Sequence, residues 1–197
     1  MATVDTSRIL KGVESRYNKA VTLRVSFSEA YTSQNRRRPV ESGELTLRKP
    51  GKMRWEYSKP PGKLFVSDGK DAYYYSPDSN RVERIRMKEV EDFRAPLAFL
   101  LGRLDFSRDF KEYHVRPEGT NFHIRCIPKN DRLPYAEVVM VIAPDYRIER
   151  LRVTGHDRSV LEFGFSSESV NPAISDDRFY FKIPKDAEYV ESAKENP

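Results

Sequence analysis

Cysteine is nearly absent: Cys126 is the only one in 197 residues, so no intramolecular disulfide is possible. Long apolar runs are missing too. Nothing approaches the ~20 residues of a membrane-spanning helix, and the opening MATVDTSRIL has no apolar core of a signal peptide. That start fits either a cytosolic protein or a mature exported form carrying an added initiator Met. The three histidines, His114, His123 and His156, stand on separate strands or turns without metal-ligand spacing, and there is no C-x-x-C. The nine glycines form no G-x-G-x-x-G, no P-loop and no G-x-S-x-G elbow. Neither catalytic residues, nor a metal, nor a cofactor is expected, and the chain reads as no enzyme. The net charge of +5 is too mild to demonstrate an anionic partner.

Core-forming residues are scarce as well, at 38% apolar against 33% charged, with mean hydropathy −0.72. Aromatics at 12% and clean periodicities nevertheless argue against disorder. Antiparallel sheets with one dry and one wet face reconcile the two facts. Residues 5–20 read as a helix, with Ile9, Val13 and Tyr17 at helical spacing and Asp5 or Thr6 as cap. Period two follows. Leu23, Val25 and Phe27 alternate with polar residues, as do Leu45 and Leu47, and then Met53, Trp55 and Tyr57. Segments 63–67 and 71–75 flank the tight turn Asp68-Gly69. Further strands are expected at 81–87, 112–116, 121–127, 136–142, 147–154, 159–165 and 178–182. About eleven or twelve short strands at this spacing predict a sandwich or barrel, in one domain spanning 1–197. One segment, 93–110, breaks the rhythm: Leu97, Leu100, Leu101 and Leu104 form a helical stripe.

Tempting features have plainer readings. Cys126 shares a strand face with Phe122 and Ile124, which predicts a buried structural thiol rather than a nucleophile. "SDGK" and "GHD" read as turns, and Arg36-Arg37-Arg38 as a solvated hairpin tip. Base stacking on the aromatic strands would want basic residues on the aromatic face, but Arg54 points away from Trp55, which argues against nucleic acid.

The stretches "SGELTLRKPGKMRWEY" and "LFVSDGKDAYYYSPDSNRVERI" resemble the LolA family of periplasmic outer-membrane lipoprotein carriers. Weaker echoes lie in "VSFSE", "PLAFLLG" and "FYFKIPKDAEYVE". The resemblance implies a mainly β fold: an unclosed half-barrel of about 11 antiparallel strands, with an N-terminal helix and a mid-chain helical lid over a hydrophobic cavity. Carried over by position, Met53, Trp55, Tyr57, Leu64 and Val66 line the cavity, and Leu97, Phe99, Leu100 and Leu101 belong to the lid. Lys49 stands at the lid-latch position, where family members carry arginine; lysine lacks the planar fork of a guanidinium. The implied function is a soluble periplasmic carrier, a monomer, that takes acylated lipoproteins from an inner-membrane transporter and passes them to an outer-membrane acceptor lipoprotein. The same fold also serves lipid or glycolipid carriers and lipoprotein-sensing modules, which keeps the cargo open.

Overall fold

The structure is a computed structural model that describes residues 5–86, 103–130 and 135–191. It opens with helix α1, Thr6–Lys19, which Asp5 caps by accepting a hydrogen bond from Arg8 N at 3.0 Å. Strands follow in chain order: β1 Thr22–Ser33, β2 Arg36–Arg37, β3 Glu41–Arg48, β4 Lys52–Lys59, β5 Leu64–Asp68, β6 Asp71–Ser76 and β7 Arg81–Arg86. A short helix α2, Phe106–Asp109, leads into β8 Phe110–Glu118, then β9 Asn121–Pro128, β10 Tyr135–Ile142, β11 Ile148–Gly155, β12 Val160–Val170 and β13 Glu188–Glu191.

Among the described residues, the thirteen strands join one sheet in the order β13-β7-β6-β5-β4-β3-β1-β12-β11-β10-β9-β8, with β2 paired to the end of β1. The two outermost strands, β13 and β8, do not pair with each other, so the sheet is open, as an unclosed half-barrel requires. Neighbouring pairs are antiparallel except β13 on β7, which is parallel. The middle joint is β1 on β12, residues far apart in sequence, and it welds the N-terminal and C-terminal meanders together.

Register decides which residues share a face. One rung runs Leu23, Leu47, Met53, Ser67, Ala72 and Ile85; the next runs Val25, Leu45, Trp55, Phe65 and Tyr74. Across the joint, Phe163, Leu151, Met140, Ile124 and Val115 continue the same face. The resulting apolar face takes in Ile9, Leu10, Val13 and Tyr17 of α1 as one hydrophobic cluster, with Leu104, Phe106 and Phe110. At Gly12 a Cβ would lie 2.4 Å from the Tyr146 ring, so glycine lets the helix seat against it.

Two expectations need correction. Residues 178–182 do not form a strand. Asp176–Phe179 is a 3-10 turn, and the chain from there to Pro184 runs without sheet pairing. The last strand instead comes at β13, and Leu104 at the end of the helical stripe is buried but not helical.

Candidate functional site

Strand β4 positions the site. Its apolar residues alternate, and Met53, Trp55 and Tyr57 are 0%, 0% and 3% exposed. Trp55 sits edge-on to Phe27 at 4.8 Å and tilted against Phe163 at 5.6 Å, and its indole Nε1 donates to Met53 Sδ at 3.2 Å. Tyr57 is edge-on to Phe27 at 5.1 Å, and its hydroxyl donates to Glu29 Oε2 at 3.0 Å. The face therefore grades from fully apolar in the middle of β4 to a polar bond at its end. These side chains pack into the core cluster.

Leu64 and Val66 go the other way. Their partners are Glu56 and Arg54, which lie on the face turned away from α1, the outer or convex face of an unclosed half-barrel, while Phe65 pairs with Trp55. Leu64 and Val66 thus stand on the side of the sheet opposite Met53, Trp55 and Tyr57 rather than beside them, and Phe65, 0% exposed, takes the inward position. Both phases of "LFV" are buried because both faces of β5 are covered. On the convex side the C-terminal segment crosses the strands, with Ile174 and Phe179 buried and the Phe181 ring near Tyr73 and Tyr75. Charge pins this arm. Arg48 and Lys52 hold Asp176, Arg48 also donates to Ile174 O, and Arg178 reaches Glu44 and Glu56 at 3.3 and 2.8 Å.

Lys49 is half-buried, and burial lowers its pKa. Its Nζ donates to Tyr17 O at 2.6 Å, so among the described residues it holds the last turn of α1, where a cation also meets the negative end of the helix dipole. The same turn is clamped by Glu168, whose side chain is 5% exposed. Glu168 accepts from Arg16 Nε at 2.9 Å, from Arg16 Nη2 at 2.6 Å and from the Tyr17 hydroxyl at 2.8 Å. Tyr17 Oη in turn accepts from Ile148 N at 2.8 Å. Burial first, then the Glu168 charge, pushes the Tyr17 phenol well above its ordinary range. Asn18 and Glu14 bind the backbone of Leu104 and Phe106 at 2.8 Å each. The lid positions Leu97, Phe99, Leu100 and Leu101 lie outside the described residues.

Cys126 is buried on the inner face, and burial alone pushes its thiol up to about 12. The turn readings also hold: Asp68 Oδ1 accepts from Lys70 N and Asp71 N, and Arg158 N closes on Gly155 O. Among the described residues, no three His, Cys, Asp or Glu side chains gather in a metal-binding group, and no helix is long and apolar enough to cross a membrane.

A family model for the outer membrane lipoprotein carrier protein LolA matches residues 18–182. The chain belongs to the LolA family. An outer-membrane lipoprotein carrier protein of Nitrosomonas europaea is 26% identical over 182 residues, covering 92% of this chain and 88% of the relative. One from Chromobacterium violaceum is 29% identical over 172 residues, covering 86% and 81%. Among solved structures, an uncharacterized conserved protein from Thermus thermophilus shares the fold at TM-score 0.56 and 13% identity, covering 94% of this chain and 98% of that one. The LolA match spans β1 to β12 and so includes the whole apolar face. Sequence reasoning found the β4 part of that face and missed Phe65, Phe27 and Phe163. Phe27 alternated visibly with polar neighbours, but only strand pairing shows that it meets Trp55.

Proposed function

We propose that this protein carries the acyl chains of lipoproteins on the apolar face built around Trp55, moving them through the periplasm from an inner-membrane transporter to an outer-membrane acceptor. It acts as a monomer and without covalent chemistry. One observation carries the reading. A single apolar face continues from β7 to β8 across the central joint, in a chain of the LolA family.

The energetics suit a carrier. Burying a methylene contributes ~0.8 kcal/mol, so a ~16-carbon chain offers on the order of 12 kcal/mol when fully buried. A site that gained all of this would not release its load. Here Met53, Trp55 and Phe65 are already dry, so cargo replaces one apolar contact with another and the net gain is small and reversible.

Trp55 is the only tryptophan, which supplies the test. Palmitate brominated along its chain is expected to quench Trp55 fluorescence saturably, at one ligand per chain, with unlabelled palmitate reversing it. An absence of quenching by every bromine position, on folded protein, overturns the carrier reading.

A further inference from the structure

The hairpin at the end of β1 is unusually basic and unusually free. Gln34 and Asn35 have φ of 49° and 61°, the left-handed pair of a tight two-residue turn, and pairing resumes as Ser33 with Arg36 and Thr32 with Arg37. Arg36, Arg37 and Arg38 are all exposed. Successive residues of a strand face opposite ways, so the guanidinium groups project from both faces of the ribbon. Arg38 lies over the Tyr31 ring at 4.9 Å. None of the three has a carboxylate within ion-pair distance among the described residues. At the opposite end of the sheet Arg16, Arg48, Lys52 and Arg147 are each paired to an acid, and the exposed Lys19 and Lys70 there are single cations rather than a run.

Two more cations share the hairpin's end. Lys59, opposite Ser42 at the close of β4, and Arg158, in the β11–β12 turn, are exposed and likewise without an acid partner among the described residues. Of the acids beside the hairpin, Glu41 is held by Lys63, Glu29 by the Tyr57 hydroxyl and Asp157 by Ser159, while the exposed Asp78 and Asp186 stand farther along the same end, beyond β5. The unpaired charges therefore come from three separate turns and lie across one end of the sheet, away from the end where the last turn of α1 is pinned. Among the described residues, Val40 is the only large apolar side chain exposed beside the hairpin. An exposed array from separate turns, with little apolar surface beside it, fits an extended anionic surface, and arginine forks match phosphate oxygens bidentately.

We propose that this end of the sheet docks on anionic phospholipid headgroups through Arg36, Arg37 and Arg38, with Lys59 and Arg158 in support. The contact is electrostatic and released by salt. It orients the Tyr57 end of the apolar face toward the bilayer. The proposal goes beyond the carrier reading and stands or falls separately from acyl binding.

Sedimentation of the whole protein with vesicles tests it. Vesicles containing phosphatidylglycerol are expected to bind the native chain at low ionic strength, while pure phosphatidylcholine vesicles do not. Adding about 0.5 M salt releases it. The triple variant Arg36→Gln/Arg37→Gln/Arg38→Gln is expected to lose binding by on the order of 100-fold, with brominated-palmitate quenching of Trp55 unchanged. Removing the same charge from the convex face, as Arg125→Gln/Arg150→Gln/Arg152→Gln, leaves vesicle binding near native. Should the hairpin variant not fold, a solvent-sensitive dye on Asn35→Cys responds to anionic vesicles and one on Lys70→Cys, at the far end, does not; Cys126 is buried and stays unlabelled. No binding to phosphatidylglycerol vesicles, equal binding to phosphatidylcholine, equal binding by the triple variant, or equal dye responses at both ends overturns the proposal.

Discussion

Met53 and Val66 lie near each other in adjoining strands but on opposite faces of the sheet, and their substitution by alanine separates cargo contact from stability. Val66 is 1% exposed under the C-terminal arm. Val66→Ala removes two methyl-sized groups, ~1.6 kcal/mol of transfer free energy at ~0.8 per group. The unfilled space adds to this, giving about 2 kcal/mol. For a chain of this size that corresponds to a fall in Tm of about 4–8 °C. Met53 is 0% exposed and supports the Trp55 indole at 3.2 Å, so Met53→Ala costs ~2–5 kcal/mol. Stability alone does not tell the two apart. Acyl affinity does, because only Met53 is on the Trp55 face, the one we propose for cargo. Titrating brominated palmitate against each variant is expected to leave Val66→Ala within about twofold of native, while Met53→Ala shifts affinity by about threefold or more. If Val66→Ala alters affinity as much as Met53→Ala, the assignment of faces is wrong and the cargo does not lie along Trp55.

Glu168→Ala strips the acceptor from Arg16 and Tyr17 at once; a loss of about 3 kcal/mol is expected by chemical denaturation, with earlier hydrogen exchange in α1. Gly12→Ala improves intrinsic helix propensity by about 1 kcal/mol yet is expected to lower Tm, since its Cβ meets the Tyr146 ring. The C-terminal arm is expected to loosen in acid. A hydrogen bond from Lys52 and the charges of Arg48 and Lys52 hold Asp176 below the usual carboxylate range. Burial would raise Glu56, but Arg54 and Arg178 outweigh it and lower it overall. Depressed folded-state pKa values stabilise above the ordinary carboxylate range, about 4, and that stability is lost as pH falls through the folded values. Exchange of the 174–181 amides against pH, compared with β10 as reference, checks it. Cys126, pushed up to about 12, is expected to resist thiol reagents at about pH 8 until the protein is unfolded.

Local patterning was enough for α1, for most of the strands and for the inward face of β4. Each depends on neighbours a few residues apart: helical spacing in Ile9, Val13 and Tyr17, or strict alternation in Met53, Trp55 and Tyr57. The buried thiol and the turns at Asp68-Gly69 and Gly155 were legible for the same reason, and the LolA motif supplied the open sheet. Strand β5 was different. Leu64, Phe65 and Val66 are all apolar, and period two cannot choose a phase when both faces are dry. The cover on the convex face comes from Ile174 and Phe179, more than a hundred residues later. Alternation in "RFYFK" likewise suggested a strand at 178–182. What places that segment is a set of ion pairs and hydrogen bonds with Glu44, Arg48, Lys52, Arg54 and Glu56, spaced two or four residues apart on the convex face. Those residues look like an ordinary wetted face until the chain folds back over them. Which side of the sheet a residue serves is a property of pairing and covering. Both are long-range, so only the tertiary structure decides them.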